Sequence, residues 1–171
     1  MSSSRIVKYL VQWFVLVALQ VLLFKDFAFF NTSYCYAYVG AFVLLPFEVS
    51  LVGGMLLAFG TGLLVDVFYD TLGIGAAASV AVAYLRGPLL KALTPAGGYE
   101  GYMEPTLPSM GLQWYLLYLC PLVFLHAAIL LSIELIHAGE IPLALLKAVA
   151  TVPFTVIMIG LVQNVLVPKK G

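Results

Sequence analysis

The feature that most constrains this chain is its nearly continuous apolar character from Ile6 to Val167, with one long polar interruption at residues 86–111. Of its 171 residues, 63% are hydrophobic and 9% are charged, whereas a soluble globular domain carries about 25% charged residues. Such a chain has too few polar residues to cover an apolar core. We therefore expect a single all-α integral membrane domain that covers residues 1–171.

Apolar stretches of about 20 residues, the length that crosses a bilayer, predict four transmembrane helices. They cover Ile6–Phe24, Leu72–Leu90, Gly111–Leu135 and Pro142–Val167. A fifth stretch, Tyr34–Val65, is too long for one span and is interrupted by Pro46 and Glu48. Because proline lacks the amide hydrogen that a helix interior needs, we interpret this stretch as two shorter helices, Tyr34–Phe47 and Ser50–Val65.

The distribution of basic residues favours six spans with both termini in the cytoplasm. Six spans place six basic residues inside and two outside, whereas five spans give at best five against three. Basic residues accumulate on the cytoplasmic side of membrane proteins. The inner set is Arg5, Lys8, Arg86, Lys91, Lys169 and Lys170, and the outer set is Lys25 and Lys147. The sequence therefore predicts a bundle of six transmembrane helices, N-in and C-in, with a cytoplasmic loop at about residues 86–111.

Small residues recur every four positions on two neighbouring predicted helices. Between lipid-exposed helices, small residues add stability by letting the backbones approach closely. The first stripe is Gly54, Ala58 and Gly62, continued by Asp66, and the second is Gly75, Ser79, Ala83 and Gly87. A short outer turn, Asp66–Gly73, joins the two helices. We expect a tight antiparallel pair at the centre of the fold.

Asp66 and Asp70 flank the end of the first striped helix. An ionisable residue in a membrane span is a functional candidate by default, so the two carboxylates could bind a cation or relay protons. In the alternative that we favour, Asp66 caps the turn or accepts hydrogen bonds from the start of the following helix.

The remaining polar residues of the spans are interpreted as hydrogen-bonding links between helices. His126 and Glu134 share a helix face, with His137 further along, and such a set could hold a metal or a proton. No third ligand at matching spacing completes that site, and Cys35 and Cys120 are isolated, so we expect neither metal nor cofactor. Residues assigned the linking role are Gln12, Gln20, Gln163 and Asn164. Thr151 or Thr155 is expected to satisfy carbonyl groups freed by Pro153.

The predicted cytoplasmic loop begins with Arg86 and Lys91, which we expect at the inner interface with their charges reaching the lipid headgroups. Prolines and glycines divide the loop into turns. The loop is interpreted either as an ordered connector or as a docking site, and its candidate residues are Tyr99, Glu100, Glu104 and Pro105.

Motifs of soluble catalysis are absent from the sequence, including GxSxG, HExxH and a glycine-rich phosphate loop followed by lysine. The formal net charge is zero, which gives no basic face for nucleic acid. We therefore expect neither an enzyme nor a nucleic-acid-binding protein.

Four short runs in the centre of the chain carry a family resemblance: GLLVD at 62–66, VFYDTLG at 67–73, AAAS at 76–79 and AYLR at 83–86. They resemble the central signature of the rod shape-determining protein MreD family. The runs LTP at 93–95, GGYE at 97–100 and PTLPSMG at 105–111 are similar to Bacteroidota-like members. Gly75 departs from the family pattern, in which a bulkier or polar residue is expected. The departure should only let the fourth helix approach its neighbour more closely.

This resemblance implies a non-enzymatic scaffold subunit of the bacterial cell-elongation (rod) complex, located in the cytoplasmic membrane. The expected direct partner is MreC, and the wider complex includes RodA, a class B penicillin-binding protein and the MreB filament, with membrane lipids around the bundle. The fold is expected to resemble the six-helix substrate-binding subunits of energy-coupling-factor transporters, which does not by itself imply ligand binding. Asp66 matches the family's acidic position after Gly62, with a structural role.

Two other functions remain open on the sequence alone. The first is a small-molecule-binding subunit of a membrane transporter, although the polar residues within the spans are few for a hydrophilic ligand. The second is a protein that binds or moves lipids.

Overall fold

The computed structural model describes residues 3–25, 32–71, 73–100, 103–136 and 139–166, and within these ranges the only regular structure is helical. The α-helices are α1 (Ser3–Leu22), α2 (Gly40–Val43), α3 (Leu51–Tyr69), α4 (Ile74–Ala92), α5 (Leu107–Met110), α6 (Leu112–Leu135) and α7 (Ile141–Leu166). A 3-10 turn, Ala37–Val39, precedes α2. The predicted all-α class is confirmed.

Within the described part of the chain, four helices are long and apolar enough to cross a membrane: α1 over Arg5–Leu22, α3, α6 and α7. Large apolar side chains cover the outside of the bundle, as at Phe14 and Leu56, both 67% exposed. Polar side chains such as Gln20 and His126 lie buried inside it. A surface that is apolar over a partly polar interior suits a lipid surrounding and not water, so the protein is membrane-embedded.

The structure places five predicted helices close to their expected positions. The four unambiguous stretches correspond to α1, α4, α6 and α7, although Leu72 and Val167 lie outside the described residues. The fifth is α3, which begins after Ser50 as predicted, because the Ser50 hydroxyl accepts a hydrogen bond from the Gly53 amide at 3.2 Å. It continues to Tyr69, past the predicted end at Val65. Asp66 therefore lies within the helix and not in the turn.

The predicted helix Tyr34–Phe47 is wrong as a continuous helix. Only Ala37–Val43 is helical, first as the 3-10 turn and then as α2. Every residue from 35 to 46 is buried, enclosed by the long helices. Irregular backbone is tolerated at membrane depth only where protein groups satisfy its hydrogen bonds. Residues 34–47, the central segment, are therefore an internal element of the bundle.

The central segment runs from one end of the bundle to the other. Near its start, the Cys35 carbonyl accepts a hydrogen bond from Gln20, which also donates to the Tyr69 hydroxyl at the end of α3. At its other end, the Phe47 ring stacks on Tyr99, with ring centroids 4.1 Å apart. We name these the turn end, after the α3–α4 turn, and the loop end, after the loop that follows α4.

The loop after α4 is shorter than predicted. Helix α4 continues to Ala92, so Arg86 and Lys91 are helical and the loop covers residues 93–111, with α5 as a single turn inside it. The prediction that the Arg86 side chain extends outward over the bundle surface is also wrong, because this residue is only 6% exposed. Arg86 therefore lies on the inner side of α4.

Candidate functional site

Asp66 joins α3 to the beginning of α4 at the turn end. One carboxylate oxygen accepts hydrogen bonds from the Gly75 amide at 3.0 Å and from the Thr71 hydroxyl, and the other accepts from the Ala76 amide at 2.9 Å. The first amides of a helix have no partner within it, and the helix dipole favours an anion there. The predicted capping role of Asp66 is confirmed.

Two glycines let this carboxylate reach its position. A Cβ at Gly62 would lie 2.6 Å from the Cα of Ala76, so the two helix backbones are in direct contact. A Cβ at Gly75 would lie 2.5 Å from the Asp66 carboxylate oxygen. The prediction for Gly75 was closer helix approach alone. The structure shows that its missing side chain leaves the space that the Asp66 carboxylate occupies.

Asp70 has a different position from Asp66. It is exposed and ends α3 in the left-handed conformation, with φ of 58°, and Gly73 follows with φ of 94° just before α4. These conformations turn the chain sharply between the helices. Asp66 is buried and accepts hydrogen bonds from backbone amides, whereas Asp70 is exposed. The two therefore do not form the carboxylate pair that a cation site would need.

Toward the loop end, α3 and α4 separate. A Cβ at Gly54 would meet no atom within 4 Å, and one at Gly87 would lie 3.8 Å from the Leu51 side chain. Ala58, Ser79 and Ala83 are buried between these ends. The predicted tight pair is thus confirmed near Gly62 and wrong near Gly54. A cavity of about 280 Å³, lined in part by Gly54, Ala83 and Gly87, opens there.

Arg86 closes one wall of this cavity and holds the end of the central segment. Its Nε donates to the Val43 carbonyl at 3.1 Å and to the Tyr118 hydroxyl at 3.0 Å. Its Nη2 donates to the carbonyls of Leu45 and Pro46. A guanidinium presents several donors in a fixed planar fork, which here satisfy carbonyls that no helix satisfies. Sequence reasoning missed this role because Arg86 lies close to the end of an apolar stretch.

The start of the central segment is held by α7. The Tyr34 amide donates to the Thr151 hydroxyl and the Tyr36 amide to the Thr155 hydroxyl, each at 3.1 Å. No hydrogen bond from either threonine to a carbonyl freed by the proline of α7 is found among the described residues, so that prediction is not borne out. They act as acceptors for a different element, which only the three-dimensional arrangement reveals.

His126 has the linking role that we predicted. Its Nε2 lies 2.8 Å from the Tyr38 hydroxyl, and both side chains are buried. Gln20 accepts from the Tyr38 amide at 3.4 Å. Glu134 is exposed, and His137 lies outside the described residues. Among the described residues, no group of three histidine, cysteine or acidic side chains could hold a metal ion.

Of the candidate residues in the first part of the loop, one is packed against the bundle and one is exposed. Tyr99 packs between Phe47 and Trp114, and its hydroxyl donates to the Leu90 carbonyl at 2.8 Å. Glu100 is exposed. The aromatic contacts tie the loop to the central segment and to α6, so the first part of the loop is an ordered connector.

The second part of the loop binds both terminal helices. Glu104 forms an ion pair with Lys8 of α1. The Pro105 carbonyl accepts a hydrogen bond from Gln163 of α7 at 3.4 Å. Sequence reasoning named Glu104 and Pro105 without these partners, because contacts between residues so far apart in the chain leave no local signal.

A second cavity, of about 200 Å³, lies at the turn end. Its lining includes Gln20, Tyr36, Asp66 and Glu134. It is more polar in residue type than the lipid-facing surface, and it is the place where a small hydrophilic molecule would find hydrogen-bonding groups.

No family model, no curated protein and no solved structure matches this chain.

Proposed function

We propose that this chain is a non-enzymatic scaffold subunit of the bacterial cell-elongation complex, of the MreD type, that binds MreC in the cytoplasmic membrane. RodA and a class B penicillin-binding protein are the further partners, with the MreB filament on the cytoplasmic side. One observation carries the proposal. The runs that resemble the family lie between residues 62 and 86, on α3 and α4. In these helices the buried side chains of Asp66 and Arg86 form hydrogen bonds with backbone amides and backbone carbonyls, respectively.

This use of the buried charges favours a structural role over chemistry. A catalytic or transport carboxylate has to be free to exchange protons or ligands, whereas Asp66 accepts from two helix amides and a hydroxyl. Arg86 likewise donates to three carbonyls. A bundle fixed in this way from within offers a rigid outer surface, which is what a scaffold for a single transmembrane helix needs.

We also propose six membrane crossings with both termini in the cytoplasm. The central segment connects the turn end to the loop end and would be the second crossing, beside α1, α3, α4, α6 and α7. Contacts of Lys8 and Gln163 with the loop support a common side for the two terminal helices. With Arg5, Lys8 and Lys91 at the loop end, the positive-inside rule makes that end cytoplasmic.

The topology is tested by labelling single cysteines in intact cells with a membrane-impermeant maleimide. Lys25→Cys at the turn end should react in intact cells, and Lys91→Cys should react only after the membrane is opened. The reverse pattern, or labelling of both positions in intact cells, would reject the proposed orientation.

The scaffold function is tested by purifying the tagged chain from native membranes in a mild detergent and identifying its partners by mass spectrometry. Recovery of MreC together with RodA and its transpeptidase is the expected result. Gly62→Leu, which forces the α3–α4 backbones apart, should lower MreC recovery. Gly60→Leu is the matched control, because a Cβ at Gly60 meets nothing within 4 Å. If MreC recovery is equal for both variants, the α3–α4 pair does not organise the binding face.

The alternative is a small-molecule-binding subunit of a membrane transporter, and the cavity at the turn end favours it. In that case the purification would recover an ATPase with coupling subunits, or a small molecule that survives purification, in place of MreC.

A further inference from the structure

The cavity between α3 and α4 at the loop end contains cationic groups without an anionic partner. Its volume is about 280 Å³, and its lining includes Arg86 and Lys91 but no aspartate or glutamate. Glu48 and Glu100 are the nearest acids in sequence to the lining residues, and both are exposed. An arginine placed within a membrane bundle is costly unless an opposite charge or a full set of acceptors compensates it.

The acceptors around Arg86 are incomplete. Its Nε and Nη2 bind carbonyl and hydroxyl oxygens, whereas its Nη1 has no hydrogen-bond partner among the described residues. Nη1 is not one of the fully buried side-chain atoms that lack a hydrogen-bond partner, so it keeps some accessible surface. Because Arg86 lines the cavity and is 6% exposed, Nη1 is the donor of this residue that is left for a molecule in the cavity.

Two further features of the cavity favour an anion. The N-terminus of α3 lies at its edge, with Ser50 and Leu51 in the lining, and the amides of a helix N-terminus attract negative charge. Lys91 is exposed at the mouth and forms no ion pair with a described residue. Arginine, lysine and a helix N-terminus are the groups with which proteins bind phosphate.

The position and the lining of the cavity identify the kind of phosphate. The cavity lies where α3 begins and α4 ends, at the level of the helix ends, which is the level of lipid headgroups in a bilayer. Leu51, at the mouth, is 46% exposed and continues into the apolar outer face of α3 through Val52, which is 66% exposed. A lipid could thus place its phosphate at Arg86 and its acyl chains along that face.

We propose that this cavity binds the phosphate group of an anionic membrane lipid in the leaflet at the loop end, with Arg86 Nη1 and Lys91 as its donors. The volume lies just below the range, about 300 Å³ and upward, that holds a drug-sized ligand, so it suits a headgroup and not a soluble cofactor. The bound phosphate would supply the anion that Arg86 lacks. The site is independent of MreC, so its test does not depend on the scaffold function.

The test uses the purified, delipidated chain in detergent and counts lipid adducts by native mass spectrometry. The probes are phosphatidylglycerol, diacylglycerol with the same acyl chains, and inorganic phosphate. We expect a single retained phosphatidylglycerol and roughly tenfold fewer diacylglycerol adducts, since charge-assisted contacts to the phosphate are lost. Equal binding of the two lipids would overturn the proposal. Displacement of phosphatidylglycerol by millimolar inorganic phosphate would identify free phosphate as the ligand and overturn the lipid assignment.

Arg86 itself holds the central segment, so the variants avoid it. Gly54→Leu fills the cavity from α3 without meeting backbone and should reduce phosphatidylglycerol adducts roughly tenfold. Lys91→Gln should reduce them about fivefold, since one basic residue near an anionic headgroup is worth a factor of that order. The matched controls, Gly60→Leu and Lys147→Gln, lie outside the cavity lining and should retain the lipid within about twofold.

Thermal unfolding of each variant is also measured in detergent, so that lipid loss is compared only among variants that are folded. Retention of the lipid by folded Gly54→Leu and Lys91→Gln would show that it binds elsewhere and would reject the site.

Discussion

The two ends of the α3–α4 pair are held by opposite charges in opposite ways. At the turn end the helix backbones touch at Gly62, and the carboxylate of Asp66 accepts from amides that begin α4. At the loop end the helices are apart, and the guanidinium of Arg86 donates to carbonyls of the central segment. An anion satisfies donors and a cation satisfies acceptors. The small residues of one stripe therefore form a contact at one end and a cavity at the other.

This difference teaches that a small-residue stripe does not by itself predict close packing. Gly54 and Gly62 are equivalent by spacing, but only Gly62 faces a neighbouring backbone. At the loop end, Arg86 and Tyr118 instead donate hydrogen bonds to the Val43 carbonyl of the central segment. The largest expected effects therefore come from the charged residue at each end and from the glycine contact.

The largest effect is expected for Arg86→Met. The substitution removes the donors to the carbonyls of Leu45 and Pro46 and one donor to Val43, and buried carbonyls left unsatisfied should cost about 3–5 kcal/mol of unfolding free energy. Titration with SDS in mixed micelles measures this quantity. Leu85→Met, at a 41% exposed position on the same helix, is the control and should change it by less than about 0.5 kcal/mol. Equal effects of the two substitutions would refute the role of Arg86.

Gly62→Leu against Gly54→Leu tests the comparison directly. The leucine at 62 has to displace the backbone of Ala76, which should cost about 3 kcal/mol of unfolding free energy. The leucine at 54 enters the cavity and should cost less than about 1 kcal/mol. The same SDS titration gives both values. Similar losses at the two positions would mean that α3 and α4 pack alike along their whole length.

Asp66→Asn against Asp70→Asn separates the two acids. The asparagine at 66 exchanges one carboxyl oxygen that accepts from a buried amide for an NH2 group that cannot accept, so about 1–3 kcal/mol of stability should be lost. At 70 the side chain is exposed, and asparagine tolerates the left-handed conformation, so the loss should stay below about 0.5 kcal/mol. Thermal melting in detergent ranks the two variants. A larger loss at 70 would contradict the capping role of Asp66.

The smallest effect is expected for the Lys8–Glu104 ion pair at the loop end. The two side chains are 26% and 20% exposed, and partly solvated pairs contribute about 0.2–1 kcal/mol. A double-mutant cycle with Lys8→Gln and Glu104→Gln, measured at low and high salt, gives the coupling energy. The coupling should decrease at high salt. A coupling above about 2 kcal/mol would show that the loop end is held mainly by this pair.

The sequence predicted the elements whose signals are local. The predicted start of a helix at Ser50 lies within one residue of the start of α3, and the position of Asp66 beside a turn suggested its amide partners. The central segment could not be predicted in the same way. Pro46 signalled that a helix is interrupted, but the groups that satisfy the freed backbone come from residues such as Arg86 and Thr155, which are distant in sequence.

The case of Arg86 shows why. A basic residue near the end of an apolar stretch is compatible with a charge that reaches the lipid headgroups and with a charge that points inward. The two differ only in which face of the helix meets the protein. That face is decided by the packing of α4 against α6 and the central segment, which no local pattern reports.

The central segment also sets a condition on how this protein is made. Translation proceeds from the N-terminus, so residues 34–47 enter the membrane before α6 and α7, which provide His126, Thr151 and Thr155 as their partners. Until α6 and α7 are inserted, some polar groups of residues 34–47 have no hydrogen-bond partner, and the lipid interior offers them none. Biogenesis of the bundle must therefore end with the packing of α6 and α7 around the central segment, which is already in the membrane.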